Sequence, residues 1–235
     1  MYDAPSLEKR CIMDLILHFV DLILHLDKYL DVMIRQYGPW IYAILFLIIF
    51  VETGLVVMPF LPGDSLLFIA GAFAATGALS LPVLMVLLII AAVLGNTSNY
   101  WIGRKVGPRV FQWENSKFFN RNAFDKAHGF YEKHGAITII ATRFLPFLRT
   151  FSPFVAGVAA MGHARFQLYN ITGGVLWIVS LSVAGYLFGN IPVIRDNLTV
   201  IIIALVVIPG LPALFVAARE WRASRRRAKD AAGQK

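Results

Sequence analysis

Apolar residues dominate this chain, and the places where their runs are interrupted define its elements. Residues 12–36 carry a polar line at Asp14, His18, Asp21, His25 and Lys28, stepping by four and three among Leu, Ile, Phe and Val, which predicts a helix with one polar face. Four acids between Asp14 and Asp31 make a lipid-exposed crossing expensive. That helix therefore either lies at the interface or crosses with its polar side against partner helices. Gly38 and Pro39 open the run WIYAILFLIIFV, whose 12 residues are too short alone to cross about 30 Å of hydrocarbon as a helix. Residues 82–103, 166–189 and 197–218 are each apolar over a length that spans.

Two stretches break this pattern. In residues 52–71, ETGLVVMPFLPGDSLLFIAG, two carboxylates and the pair Pro59 and Pro62 stand inside apolar sequence. Proline removes a backbone donor and clashes with the preceding turn, so helix breaks are expected here, and hydrocarbon cannot satisfy the polar backbone they expose. In residues 141–157, ATRFLPFLRTFSPFVAG, Pro146 and Pro153 accompany Arg143 and Arg149. Acids in one break and bases in the other, all costly at membrane depth, are the functional clue. The pattern predicts an all-α polytopic membrane protein in which two re-entrant helical hairpins, about 38–78 and 135–160, accompany the three spans.

Composition agrees. Of 235 residues 58% are apolar and 15% charged, well below the quarter charged that is usual in soluble domains. The net charge of +8 is concentrated at Arg104, Lys105 and Arg109 after the first span and in a tail over 219–235 containing Arg219, Arg222, Arg225, Arg226, Arg227 and Lys229. Basic clusters placed so are orientation signals, predicting a cytoplasmic tail, and no nucleic-acid partner is expected. Residues 104–133 mix seven Lys or Arg with three acids and interspersed aromatics, which predicts a cytoplasmic surface helix pair. Lys133 and Arg165 flank the second hairpin on both sides, predicting entry and exit at the cytoplasmic face. The single cysteine, Cys11, excludes an intrachain disulfide and a thiolate metal cluster. His18 and His25 share a helix face without a third ligand nearby, so neither metal nor cofactor is expected. The mixed-charge start carries no small-residue cleavage site, and no removed signal peptide is expected.

The two breaks are also alike. PFLPGDSLLFIAG at 59–71 lies on PFLRTFSPFVAG at 146–157 with one residue of slack, and small residues with a glycine follow each. Lys105 assigns the end of the first span to the cytoplasm, so the first hairpin enters from the outer face and the two copies have inverted topology. Inverted repeats whose broken helices meet near the midplane are the architecture of many secondary transporters.

With Glu52, Gly54, Pro59, Pro62, Gly63 and Asp64 in one motif, and Arg143, Pro146, Arg149, Thr150, Pro153 and Gly157 in the other, the chain over roughly 35–218 resembles the DedA family, the SNARE-associated or VTT-domain membrane proteins. The resemblance is to the proteobacterial branch of the inner (cytoplasmic) membrane. It implies translocation of a lipid across that membrane, with undecaprenyl phosphate recycling in support of the envelope as the leading role and the proton motive force as the driver. It also places the family's important acids on Glu52 and Asp64 and its important arginines on Arg143 and Arg149. Other anionic phospholipids and cation/proton exchange stay open, as does a homo-oligomer.

The chemistry of these groups agrees with that implication. The rigid fork of an arginine grips a phosphate through two oxygens, and Thr150 and Ser152 supply hydroxyl donors. Glu52 and Asp64 would take and release protons, burial favouring the protonated form and a neighbouring arginine the ionised one. Each group also has a structural alternative: a helix cap for Asp64, snorkelling to the interface for either arginine, and support of broken helices for Thr150 and Ser152. Gly54, Gly63, Gly71 and Gly157 read as positions of backbone freedom or close packing. An enzyme acting on lipid phosphate is disfavoured, because no histidine nucleophile stands beside an arginine cluster and no dense carboxylate motif is present.

Overall fold

The computed structural model describes residues 26–55, 63–110 and 137–189, with 191 and 200. These residues form helices α1 (Leu26–Tyr37), α2 (Ile41–Gly54), α3 (Gly63–Ala75), α4 (Leu81–Val110), α5 (Thr138–Thr142), α6 (Pro146–Val158) and α7 (His163–Phe188). The surface helix pair, the span at 197–218, the basic tail and most of the N-terminal helix lie outside the described residues, as do Pro59 and Pro62.

Helix α1 leads into α2 through a 3-10 turn at Gly38–Trp40, where Gly38 takes φ +51 and Pro39, lacking an N–H, sits where the first turn needs none. The 12 residues before Glu52, too short alone to cross, are lengthened by this connection. Helical structure continues back to Lys28, and Lys28–Gly54 is 27 residues, about 40 Å at 1.5 Å per residue, long and apolar enough to span. Leu81–Val106 and His163–Phe188 meet the same condition, close to the spans predicted at 82–103 and 166–189. The described part of the protein is thus all-helical, with three helices capable of crossing a membrane.

The long helices are apolar all round, and the core face is distinguished by close packing and by its polar residues. Ile41, Leu45, Ile49 and Glu52 are buried along α2, while Leu47 between them is exposed. On α4 the buried line is Leu84, Leu88, Ala91, Asn96, Asn99 and Tyr100, with Val83, Val86, Ile90 and Leu94 turned outward. On α7 it is Phe166, Asn170, Trp177, Ile178 and Ser182. With Ala92 also buried on α4, each line recurs at steps of three, four or seven residues, with adjacent pairs between, which places it on one helix face.

Both predicted breaks are present, but they differ. Helix α2 stops at Gly54, Leu55 is extended, and α3 starts at Gly63. In the second stretch the interruption is confined to residues 143–145, after which Leu145 is extended and Pro146 begins α6. Pro153 does not break the chain: α6 runs through it, giving up one backbone hydrogen bond.

The short helices exchange partners. Helix α3, from the first broken stretch, packs along α7, which follows the second; α6, from the second, packs along α4, which follows the first. The crossings are built alike. A Cβ on Gly71 would overlap the Ser182 backbone, and one on Gly185 the Phe68 backbone. In the other pair, a Cβ on Gly157 would overlap the Tyr100 carbonyl, and one on Gly103 the Phe154 carbonyl. Phe68–Gly71 and Phe154–Gly157 are both Phe-x-Ala-Gly, and each meets a residue and a glycine three positions apart on the facing helix. Lipid tails are as apolar as leucine, so such helices gain little from burial alone and depend on the dispersion contact that glycine permits between backbones. The internal similarity of residues 59–71 and 146–157 thus has a counterpart in packing.

Candidate functional site

Partner exchange brings the ends of the two broken stretches together. Glu52 lies in the last turn of α2, Asp64 at the start of α3 and Arg149 in the first turn of α6. Arg149 uses its fork on both acids: Nη1 donates to Asp64 Oδ1 at 2.8 Å, and Nη2 donates to Glu52 Oε1. Glu52 is fully buried and Arg149 nearly so, while Asp64 keeps partial exposure. Gly63 is confined against this pair, since a Cβ there would overlap the Glu52 carboxylate.

Trp177 of α7 completes the cluster. Its indole Nε1–H donates to the same Asp64 oxygen at 2.8 Å, and the Arg149 guanidinium lies 5.2 Å from the centre of its ring. The ring face is electron-rich and the Nε1–H edge electron-poor, so one side chain favours both charges.

Arg143 is held differently. It is buried at the end of α5, and no carboxylate among the described residues pairs with it. Its Nη2 donates to the Asn170 side-chain oxygen and to the Asn170 backbone carbonyl at 3.1 Å. The arginine stem lies over Gly173, where a Cβ would stand 3.1 Å from Arg143 Cδ. Asn170 is fixed in turn: its Nδ2 donates to Val93 O at 3.1 Å, to Gln167 Oε1 at 3.1 Å and to Thr97 Oγ1 at 3.3 Å. Asn96 Nδ2 donates to Asn170 Oδ1 at 3.1 Å.

Between the two arginines lies a cavity of about 10 Å³, roughly the space a single water requires, lined by Thr53, Asn96, Arg143, Arg149, Thr150 and Trp177. Asn99 ties its walls, donating to the Thr150 carbonyl at 2.7 Å. Glu52 Oε2, Arg143 Nε and Arg149 Nε are buried without a hydrogen-bond partner among the described residues. Such groups are costly to leave unpaired, which marks the region as a place for water, protons or a polar ligand.

The expected site residues are distributed as follows. Glu52, Asp64 and Arg149 share one ion-pair cluster, and Arg143 and Thr150 border the cavity beside it. Ser152 is buried outside the cavity lining. Gly63 serves the acid pair, Gly71 and Gly157 the helix crossings, and Gly54 meets Gly95 of α4. Pro146 starts α6, and Pro153 lies within it. Snorkelling is excluded for both arginines by their burial, and Asp64 does more than cap a helix. The residue-level reading missed Trp177 and Asn170. Their only sequence signal was a polar residue seven positions before a tryptophan, with two glycines between, inside an apolar span.

Comparison with known proteins places this geometry in a lineage. The VTT domain family matches residues 61–187, which include the second broken stretch and both helix crossings. Protein DedA of Escherichia coli K12 is 51% identical over 219 residues, 92% of this chain and the whole of that protein. The chain belongs to the DedA family. Further from this DedA-family protein are the uncharacterised membrane protein Rv0364 of Mycobacterium tuberculosis H37Rv, 42% identical over 80% of this chain and 84% of that one, and the inner membrane protein YqjA of E. coli K12, 36% identical over 74% and 80%. No solved structure matches the chain. Relatives described as membrane proteins and three apolar helices of spanning length make this DedA-family member a membrane protein.

Proposed function

We propose that this protein translocates an anionic lipid across the cytoplasmic membrane at the expense of the proton motive force, with undecaprenyl phosphate as the substrate. The observation that carries the reading is Arg149, shared by Glu52 and Asp64 on the edge of the cavity that Arg143 also lines. In the resting arrangement the two acids occupy the fork a phosphate would need. Protonation of either acid weakens its hold and frees donors for the phosphate; deprotonation restores the ion pairs and expels it. The polyprenyl tail stays in the bilayer, and only the head requires the polar route. The two broken stretches act as re-entrant hairpins of inverted topology, exposing the cluster to one face and then the other. The basic tail lies in the cytoplasm, and the protein acts as a transporter with no bond made or broken in the lipid.

The test is transport by the purified protein in proteoliposomes. Labelled polyprenyl phosphate should cross faster with an imposed pH gradient, and Glu52→Gln should abolish the dependence on that gradient. Equal rates with and without the gradient would refute proton coupling, and no flux of any lipid phosphate would refute the substrate class.

A second reading, cation/proton antiport, rests on Glu52 and Asp64 as two carboxylates held by one arginine, whose oxygens a cation could use. It predicts Na⁺ or K⁺ flux in the same vesicles. Glycerophospholipid movement is separated from polyprenyl phosphate by competition between the two lipids.

A further inference from the structure

We infer that Asn170 is a positioning residue that holds Arg143 as a buried cation without neutralising it, and that Arg143 so held receives the phosphate head while Arg149 serves the acids. The inference rests on the lipid-phosphate reading above and divides the labour between its two arginines.

Three observations carry it. First, the arginines have different partners: Arg149 faces two carboxylates, and Arg143 faces a neutral amide and a backbone carbonyl. Second, Asn170 has only one usable orientation. Its Nδ2 is committed to the Val93 carbonyl and two side-chain oxygens, and its Oδ1 already accepts from Asn96, so the oxygen faces the guanidinium. With both ends of the Asn170 amide occupied, Arg143 Nη2 is held in place. Third, Arg143 Nε is buried without a partner among the described residues, and the guanidinium lines the cavity shared with Arg149 and Thr150.

The charge count explains why the clamp is an amide. With both acids ionised, Arg149 and its partners sum to −1, and Arg143 brings the cluster to zero. Protonation of one acid leaves +1, a site that attracts an anion. An aspartate at position 170 would pair with Arg143 directly and cancel that charge in every protonation state. An asparagine orients the fork and leaves the charge available. Gly173 contributes by leaving room for the arginine stem on the same helix.

The experiment compares N170D, N170A and wild type, full length and purified. Binding is read with a short-chain polyprenyl monophosphate and with the alcohol of the same chain; thermal unfolding is read in detergent. The expected result is that wild type prefers the phosphate, N170A weakens that preference about tenfold through loss of a charge-assisted hydrogen bond, and N170D abolishes it. Both variants should unfold earlier than wild type, because N170A leaves the oxygens that Nδ2 serves without a donor and N170D turns a carboxylate oxygen toward the Val93 carbonyl and Gln167 Oε1. If N170A keeps both the melting temperature and the phosphate preference of wild type, the clamp is refuted, whatever the protein transports. If N170D keeps the phosphate preference of wild type, the assignment to Arg143 is refuted while lipid-phosphate translocation stands. If wild type itself does not prefer phosphate over alcohol, the phosphate-receiving role falls together with the lipid-phosphate reading.

Discussion

Arg149 and Asp64 are 85 positions apart in the chain, and their side chains meet at 2.8 Å, with Trp177 bonded to the same carboxylate oxygen. Three elements from different parts of the sequence thus converge on one charge. The contact links the start of α3 to the start of α6, so breaking it would loosen both broken stretches at once.

Removing Arg149 should be the most damaging single change. Arg149→Gln leaves two carboxylates facing each other without their cation, and breaking a buried pair in this way costs roughly 3–5 kcal/mol. Arg149→Lys retains charge but replaces the planar fork by a single ammonium, which cannot reproduce the two-acid geometry. Thermal unfolding in detergent should fall for R149Q, and R149K should unfold closer to wild type while still losing transport.

The pH dependence has a definite sign. If the proposed exchange operates, a proton on Glu52 weakens its hold on Arg149, so phosphate-headed lipid should bind more tightly as pH falls, and rising pH should weaken it. Glu52→Gln removes the proposed proton site and should flatten the profile, and Asp64→Asn tests whether the second carboxylate is needed for it. Binding measured across a pH series in detergent checks this; an E52Q D64N double variant with the profile of wild type would contradict the exchange.

Trp177→Phe isolates one bond. The ring that faces Arg149 is kept and the Nε1–H donated to Asp64 is lost. A hydrogen bond to a charged group contributes about 1.5–3 kcal/mol to stability, so the variant should unfold earlier in detergent, and transport should fall with it if the cluster carries transport. Trp177→Leu, which removes the ring as well, should be lower still.

The crossings give a packing test. Gly71→Ala, Gly185→Ala, Gly103→Ala and Gly157→Ala each place a methyl group on facing backbone, and overpacking of this kind costs about 1–3 kcal/mol. Gly162→Ala is the control, because a Cβ there meets nothing within 4 Å. Melting temperatures should fall for the four and hold for the control. Gly63→Ala should behave differently, disturbing the Glu52 carboxylate and therefore transport more than stability.

Much of this was legible in the residues. The spans at 82–103 and 166–189 end within a few residues of α4 and α7 as judged by their apolar windows, because length and hydropathy are local properties. The helix interruptions followed from proline chemistry, although Pro153 was absorbed within α6 once packing against α4 compensated for its missing donor. The run before Glu52 was read as a hairpin arm starting at Gly38 and Pro39, whereas helical structure continues through them in a 3-10 turn back to Lys28. Asn170 and Trp177 were illegible as site residues. A polar residue or an aromatic in an apolar span has many uses, and nothing local specifies its partner.

What the sequence by itself determined is that acids and arginines had to be sheltered together, because hydrocarbon tolerates neither alone. It also determined where the helices would be interrupted. Only the tertiary structure decided that Arg149 takes both acids while Arg143 is left to Asn170, and that each short helix packs on the long helix that follows the other broken stretch. The reason is physical: composition and periodicity fix the cost of a group at its own position, whereas its partner depends on the rotation and separation of helices whose backbones meet at glycines far away in the chain.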